Sequence, residues 1–208
     1  MLDLNEEKKL FGQGYKLIGG IDEAGRGPLA GPVVAACVVI NSDFKISGIL
    51  EKINDSKKLT AKLRELLFKA IKDNFIEFGI GICDRTTIDR INILQASFLA
   101  MKKALGSIKA KPDLILVDGK LEIPNCSLPQ KAVVNGDQKI FSIAAASIMA
   151  KVTRDRIMEE MHQKYPLYGF NQHKGYGTKE HLENLKLYGP CAIHRLSFKP
   201  IKNKFVSC

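Results

Sequence analysis

The stretch from Tyr15 to Ile40 restricts the possible folds more than any other part of the chain. Tyr15–Ile21 and Val33–Ile40 are strand-length runs rich in Ile and Val, joined by the Gly/Pro-rich turn EAGRGPLAGP. The first run leads directly into two adjacent carboxylates, Asp22 and Glu23. Consecutive strand side chains point to opposite faces. One of the two acids therefore lies on the core side of the sheet, or the pair sits where strand gives way to loop.

The remaining pattern extends this start into a layered structure. After the polar loop NDSKKL, Thr60 is placed to cap a helix whose apolar face carries Leu63, Leu66, Leu67, Ala70 and Ile71. Phe75–Cys83 alternates like a third strand, and Ile88–Leu105 has the period of one amphipathic helix. Leu114–Val117 is continuously apolar, the mark of a strand buried on both faces, and Ala132–Val134 is a further strand. Phe141–Tyr165 predicts a long helix opening with Ala144, Ala145, Ala146 and Ser147, small enough to let it lie close to the sheet. Thr178–Leu187 is the last predicted helix, followed by a basic, irregular tail. Three early strands, then two more alternating with helices, predict an α/β fold with a mixed sheet: an antiparallel meander followed by parallel crossovers. A chain of 208 residues without repeats or linkers suits one domain, with or without a small appendage.

A net charge of +10 and a pI near 9.4 favour polyanionic partners, nucleic acid before anionic membrane surfaces, over a merely basic protein. Cys37, Cys83, Cys126, Cys191 and Cys208 are scattered and odd in number, which argues against a disulfide framework or a thiolate zinc site. The charged start MLDLNEEKKL has no apolar centre of the secretory kind, and the longest apolar run, Pro32–Ile40, is far short of a membrane span. A reduced, cytoplasmic protein is expected.

Two more acids follow apolar runs: Asp118 ends LILV, and Asp137 comes just after Val133-Val134. Taken singly, each reads as a turn former or helix cap. Together with Asp22-Glu23 they place acids at comparable strand ends, where open α/β sheets bind ligands. Two charges ~4 Å apart repel by roughly 4 kcal/mol at an effective dielectric near 20. Convergence therefore calls for raised pKa values or a bound cation, and carboxylates alone select Mg²⁺ or Mn²⁺. Gly25-Arg26-Gly27 reads either as a flexible turn or as a loop whose amides approach a ligand while the guanidinium meets phosphate. Lys57 and Lys58 are candidate phosphate contacts; Lys151 and Arg154 are either that or a solvated helix face. Tyr176, between Gly175 and Gly177 and near Lys174 and Lys179, suits an exposed sugar or base platform, with turn packing as the alternative. The histidines form no metal constellation: His173 falls beside the Tyr176 loop, and His162, His181 and His194 are placed on the surface.

The segment GIDEAGRGPLAGPVVAA resembles the first motif of the ribonuclease HII family. NDSKKL, ILVDG, the GD before the long helix, SIAAASIMAKVTRD and HKGYGT resemble that family's segments in order, from about Tyr15 to Gly177. The resemblance implies a ribonuclease H-like mixed five-stranded sheet flanked by helices. Residues 1–165 would form the catalytic domain and 166–208 a small helical C-terminal extension. It also implies an endonuclease for RNA/DNA hybrids and for single ribonucleotides embedded in duplex DNA, working with two divalent ions and leaving 3′-hydroxyl and 5′-phosphate ends. Asp22, Glu23, Asp118 and Asp137 match the catalytic carboxylates, and Asp155 a further acid near the metals. Gly25, Arg26 and Gly27 match the loop that senses the ribose 2′-hydroxyl, and Tyr176 a tyrosine that packs on the next deoxyribose. Two other readings compete with this one. Ribonuclease HIII carries an extra N-terminal domain, for which the position of Asp22 leaves no room; a binding module without activity is disfavoured because all four acids are present. A monomer is expected, with no evident sliding-clamp-binding peptide in the tail.

Overall fold

The computed structural model describes residues 2–205. Its one sheet contains β1 (Leu17–Ala24), β2 (Val33–Asn41), β3 (Glu77–Cys83), β4 (Leu114–Asp118) and β5 (Gln130–Val133), in the order β3-β2-β1-β4-β5. The first three strands form an antiparallel meander, and β1–β4 and β4–β5 are parallel, as the order of elements predicts. One face is covered by α5 (Phe141–Lys164) with α1 (Asn5–Gly12) and α2 (Ala61–Asn74). The other is covered by α3 (Arg85–Ile91) and α4 (Ile93–Ser107). Beyond the end of α5, α6 (Phe170–His173), α7 (Lys179–Tyr188) and α8 (Lys199–Phe205) follow. A third apolar cluster there joins Tyr168, Phe170, Leu185 and Ile201 to Met158 of α5 and to Leu29 and Ala30 of the turn after β1.

Two glycines explain how tightly the layers close. A Cβ on Gly20 would lie 2.2 Å from the carbonyl carbon of Ser142, and one on Gly81 would lie 1.9 Å from the Ala100 carbonyl oxygen. Both faces of the sheet therefore meet a helix backbone directly, and Ala144–Ala146 are fully buried as expected.

Strand register places the acids. Pairing of β1 with β2 continues to Ala24 opposite Val34, so the strand starts later than Tyr15 and runs on through Asp22 and Glu23. Alternation then sends Asp22 toward α5 and Glu23 toward α4. In the parallel pair Ile21 lies opposite Val117, so Asp22 and Asp118 follow side by side at one edge.

Elsewhere the sequence expectations need correction. The helix expected over Ile88–Leu105 is broken at Asn92, whose φ is 65° and whose Oδ1 accepts from the N–H groups of Leu94 and Gln95 at 3.0 and 3.1 Å. That side chain caps a new helix instead of continuing the old one. Thr60 caps α2 as expected, but Leu66 is 49 % exposed and Phe68 is buried in its place beside Leu67 and Ile71. The tail is helical over α8. The sequence reading had no helix at α1, which delivers the buried Glu7; its Oε1 accepts from the Ser142 N–H at 2.9 Å, where Ile140 offers α5 no side-chain cap. Cys37, Cys83, Cys126 and Cys191 are free thiols, and Cys208 lies outside the described residues. Among the described residues no helix is long and apolar enough to cross a membrane.

Candidate active site

A cleft of about 240 Å³ opens where β1 and β4 end, bounded by Asp22, Glu23 and Asp118, by the Gly25–Gly27 backbone, and by Lys57, Lys151 and Tyr176. Asp22 is only 5 % exposed, and its Oδ1 accepts from the Glu23 N–H at 2.7 Å. Burial above all, then the charges of Glu23 and Asp118, hold its carboxyl well above the usual range. Burial also raises Glu23; Arg26, with Nη1 3.1 Å from Oε1, opposes that rise and Asp118 adds to it. Asp118 is raised by burial, against the pull of the Gly136 N–H that donates to its Oδ1 at 2.7 Å, and again by Asp137. Asp137 sits in a tight turn, Gly136–Gln138, behind the cleft wall, with the Lys57 ammonium 3.4 Å away. Burial draws the Lys57 pKa down, but Asp137, Asp55 and Asp22 outweigh it and the net shift is upward.

Among the described residues no three Asp, Glu, His or Cys side chains close into a ready-made metal cluster. Glu23, Asp118 and Asp137 are instead turned to partners of the protein's own: Arg26, the Gly136 N–H and Lys57. The donor set nevertheless fits a hard divalent cation. It is all carboxylate, and burial first, with neighbouring carboxylates adding to it, raises Asp22, Glu23 and Asp118 above the usual range.

Opposite the acids stands the loop after β1. Gly25 has φ +99°, and a Cβ there would lie 2.2 Å from Arg154 Nε, so only glycine fits. At Gly27 a Cβ would meet only the Tyr176 ring, at 3.6 Å. The N–H groups of Gly25, Arg26 and Gly27 donate no hydrogen bond to any described residue. Tyr176, 46 % exposed, stands beside them and lines the cleft.

Several residues stand elsewhere than expected. Arg154 neither lies on a solvated face nor reaches outward: it is buried and donates to the carbonyls of Pro32, Ala30 and Lys174 at 3.0, 3.1 and 3.0 Å. Asp155 is outside the cleft, 2.7 Å from Lys151 Nζ and 3.8 Å from Arg64 Nη2. Lys58 lies against Asp55 at 4.0 Å. His181 and His194 are fully buried, not on the surface, and His162 is half-buried. The Cys191 N–H donates to His194 Nδ1 at 2.9 Å, which leaves the proton on His194 Nε2 to bridge to His181 Nε2 at 3.0 Å. His181 Nδ1–H is then the donor to the Tyr176 carbonyl at 2.8 Å. Burial pulls both imidazoles down to about 4. The sequence reading missed Arg195 altogether; no local pattern marks it.

A mixed five-stranded sheet with helices on both faces, carrying acids from neighbouring strand ends over a cleft in a basic protein, defines a nuclease of the ribonuclease H-like class. The family model described as Ribonuclease HII matches residues 19–201. The chain is similar to Ribonuclease HII of Acetivibrio thermocellus, 57 % identical over 92 % of this chain and 73 % of that one. It is also similar to Ribonuclease HII of Caldicellulosiruptor bescii, 55 % identical over 92 % and 91 % of the two chains. The crystal structure of ribonuclease H2 from Pyrococcus horikoshii OT3 superposes with a TM-score of 0.73 at 31 % identity, covering 90 % of this chain and 96 % of that one. The chain belongs to the ribonuclease HII family. It is an endoribonuclease, a phosphodiester hydrolase with ribonuclease H activity on RNA/DNA.

Proposed function

We propose that the enzyme also nicks duplex DNA on the 5′ side of a single embedded ribonucleotide, leaving 3′-hydroxyl and 5′-phosphate ends. The observation that carries this reading is the row of free N–H groups at Gly25, Arg26 and Gly27, opening on the cleft that Asp22, Glu23 and Asp118 line. The 2′-hydroxyl is the group that separates RNA from DNA at one position, and free amides are suited to bind it. Tyr176 offers its ring to the following deoxyribose. Lys57 and the Arg26 guanidinium, both facing the cleft, are placed for the phosphates on either side. Two divalent ions, Mg²⁺ or Mn²⁺, held by Asp22, Glu23, Asp118 and Asp137, would supply the acidity that activates water and the charge that offsets the leaving 3′-oxygen. Asp155 would act on the site through Lys151, which lines the cleft and lies 2.7 Å from its Oδ1.

The separate apolar cluster around Tyr168 and Phe170 supports a division into a catalytic domain, 1–165, and a helical C-terminal extension, 166–208. We read the enzyme as a cytoplasmic monomer.

The test is cleavage of duplex DNA carrying one internal ribonucleotide, with Mg²⁺, with Mn²⁺ and with chelator. A metal-dependent nick 5′ to the ribonucleotide is expected. Cutting of long hybrids alone would remove the roles given to Gly25–Gly27 and Tyr176.

A further inference from the structure

We propose that Arg195 is a positioning residue for the ribose-reading loop: its guanidinium, bound to the carbonyls of Gly25 and Arg26, aims the N–H groups of Arg26 and Gly27 into the cleft. This rests on the reading of Gly25–Gly27 given above and names what aims that loop.

Arg195 is fully buried and has no part in the cleft wall. Among the described residues no carboxylate lies within 4.0 Å of it; it is absent from every ion pair. Its hydrogen bonds all go to carbonyl oxygens, and its guanidinium carbon lies 5.0 Å from the centre of the Phe198 ring. Nη2 donates to Gly25 at 2.6 Å and to Pro32 at 3.1 Å, Nη1 to Arg26 at 3.0 Å, and Nε to Gly31 at 3.0 Å. A buried cation without a counter-ion is costly, and burial draws its pKa down to about 9. A neutral side chain of like volume would fill the space without that cost, so filling space does not account for an arginine here.

Peptide geometry supplies the account. In a trans peptide the C=O and the following N–H point in opposite directions. Turning the Gly25 carbonyl to Arg195 therefore turns the Arg26 N–H away from it, and the Arg26 carbonyl does the same for the Gly27 N–H. Arg195 lies on the closed side of the loop, and the cleft lies on the other. A cation on each carbonyl also polarises the peptide and strengthens its N–H as a donor.

Arg195 is itself held from outside the cleft. Its N–H donates to the Leu29 carbonyl at 2.8 Å. The next two N–H groups, of Leu196 and Ser197, donate to the Asp89 carboxylate of α3 at 3.0 and 2.9 Å. Arg85 steadies Asp89 from 3.4 Å. The frame thus runs from α3 through Asp89 and Arg195 to the loop.

The test measures affinity, in chelator, for a duplex with one ribonucleotide and for the same duplex entirely in DNA. Kcat and KM with metal are measured alongside. Equal affinities in the wild type would show that the loop does not read ribose, removing the premise and not only the role of Arg195. Given a wild-type preference, Arg195→Lys keeps the charge but loses the fork. It is expected to lower the preference about tenfold at unchanged all-DNA affinity, with the loss in kcat exceeding the rise in KM. A folded Arg195→Lys with full preference overturns the proposal, as does equal weakening on both duplexes, which a merely structural role would give. Should Arg195→Lys fail to fold, Asp89→Ala loosens the tether while leaving the guanidinium in place. Selective loss of preference there supports the proposal, and unchanged preference or equal weakening on both duplexes overturns it.

Discussion

The two walls of the cleft face each other but are held by different means. Asp22, Glu23 and Asp118 take their places from strand register: Asp22 and Asp118 one step beyond the paired Ile21 and Val117, and Glu23 opposite Ala35 of β2. The loop Gly25–Gly27 has no ladder to hold it and depends on Arg154 and Arg195, whose side chains bind carbonyls in and around it. The acids are passengers on a scaffold that does not need them, whereas the loop's backbone is part of what the buried arginines require. Chemistry and fold are separable on one wall and joined on the other.

The sharpest test of that contrast is Asp22→Asn. Its carboxyl is held above the usual range, first by burial, so its ionised form is disfavoured in the folded state and the penalty grows as pH rises through that pKa. We expect cleavage to fall by roughly 10³ or more while the variant, in chelator, gains about 1–2 kcal/mol and melts several degrees higher. The gain should be larger at pH 8 than at pH 5. A variant that melts lower than the wild type would show that this wall also needs its acid for the fold.

The next effect separates two glycines of the other wall. Gly25→Ala meets Arg154 Nε at 2.2 Å with φ at +99°, so activity should fall by about a hundredfold and the melting temperature by roughly 5–10 °C. Gly27→Ala meets only the Tyr176 ring at 3.6 Å, so its melting temperature should hold while cleavage at a single ribonucleotide falls about tenfold. Equal melting losses in the two variants would end the distinction between a glycine required by the fold and one required by the ligand.

The smallest effect concerns acid. His181 and His194 are neutral in the fold, with burial drawing their pKa values down to about 4 from the ordinary 6.5 of a histidine. Their contribution is complete above pH 6.5 and is lost as pH falls toward 4, on the order of 3 kcal/mol for one such group. Amides around Tyr176 should therefore lose hydrogen-exchange protection at pH 5 before those of the central strands do. Uniform loss across both regions would contradict the histidine account.

What could be read from the sequence follows the same division. The strands and the acids at their ends were legible because apolar runs and the charges that end them are local patterns. The extension of β1 through Glu23 was not, because it depends on pairing with Val34 and Ala35 across the turn. Asn92 did carry a local signal, as a residue type that caps helices, but the apolar period ran through it. Arg195 and the paired histidines were illegible for a different reason. They are residue types that usually face water, and what buries them is a set of carbonyls up to 170 positions away. Glu7 at the start of α5 is another case, a carboxylate whose partner N–H is 135 positions distant.

The dependence of the loop on Arg195 has a consequence for the order in which a growing chain acquires its abilities. Asp22, Glu23, Asp118 and Asp137 are all made before Arg195, and neither the strands that carry the first three nor the turn that carries Asp137 includes it. Domains fold during synthesis as their segments emerge. On the reading proposed above, the acids that would cut are made before the arginine that would aim the ribose-reading loop, and the nascent enzyme would become selective last.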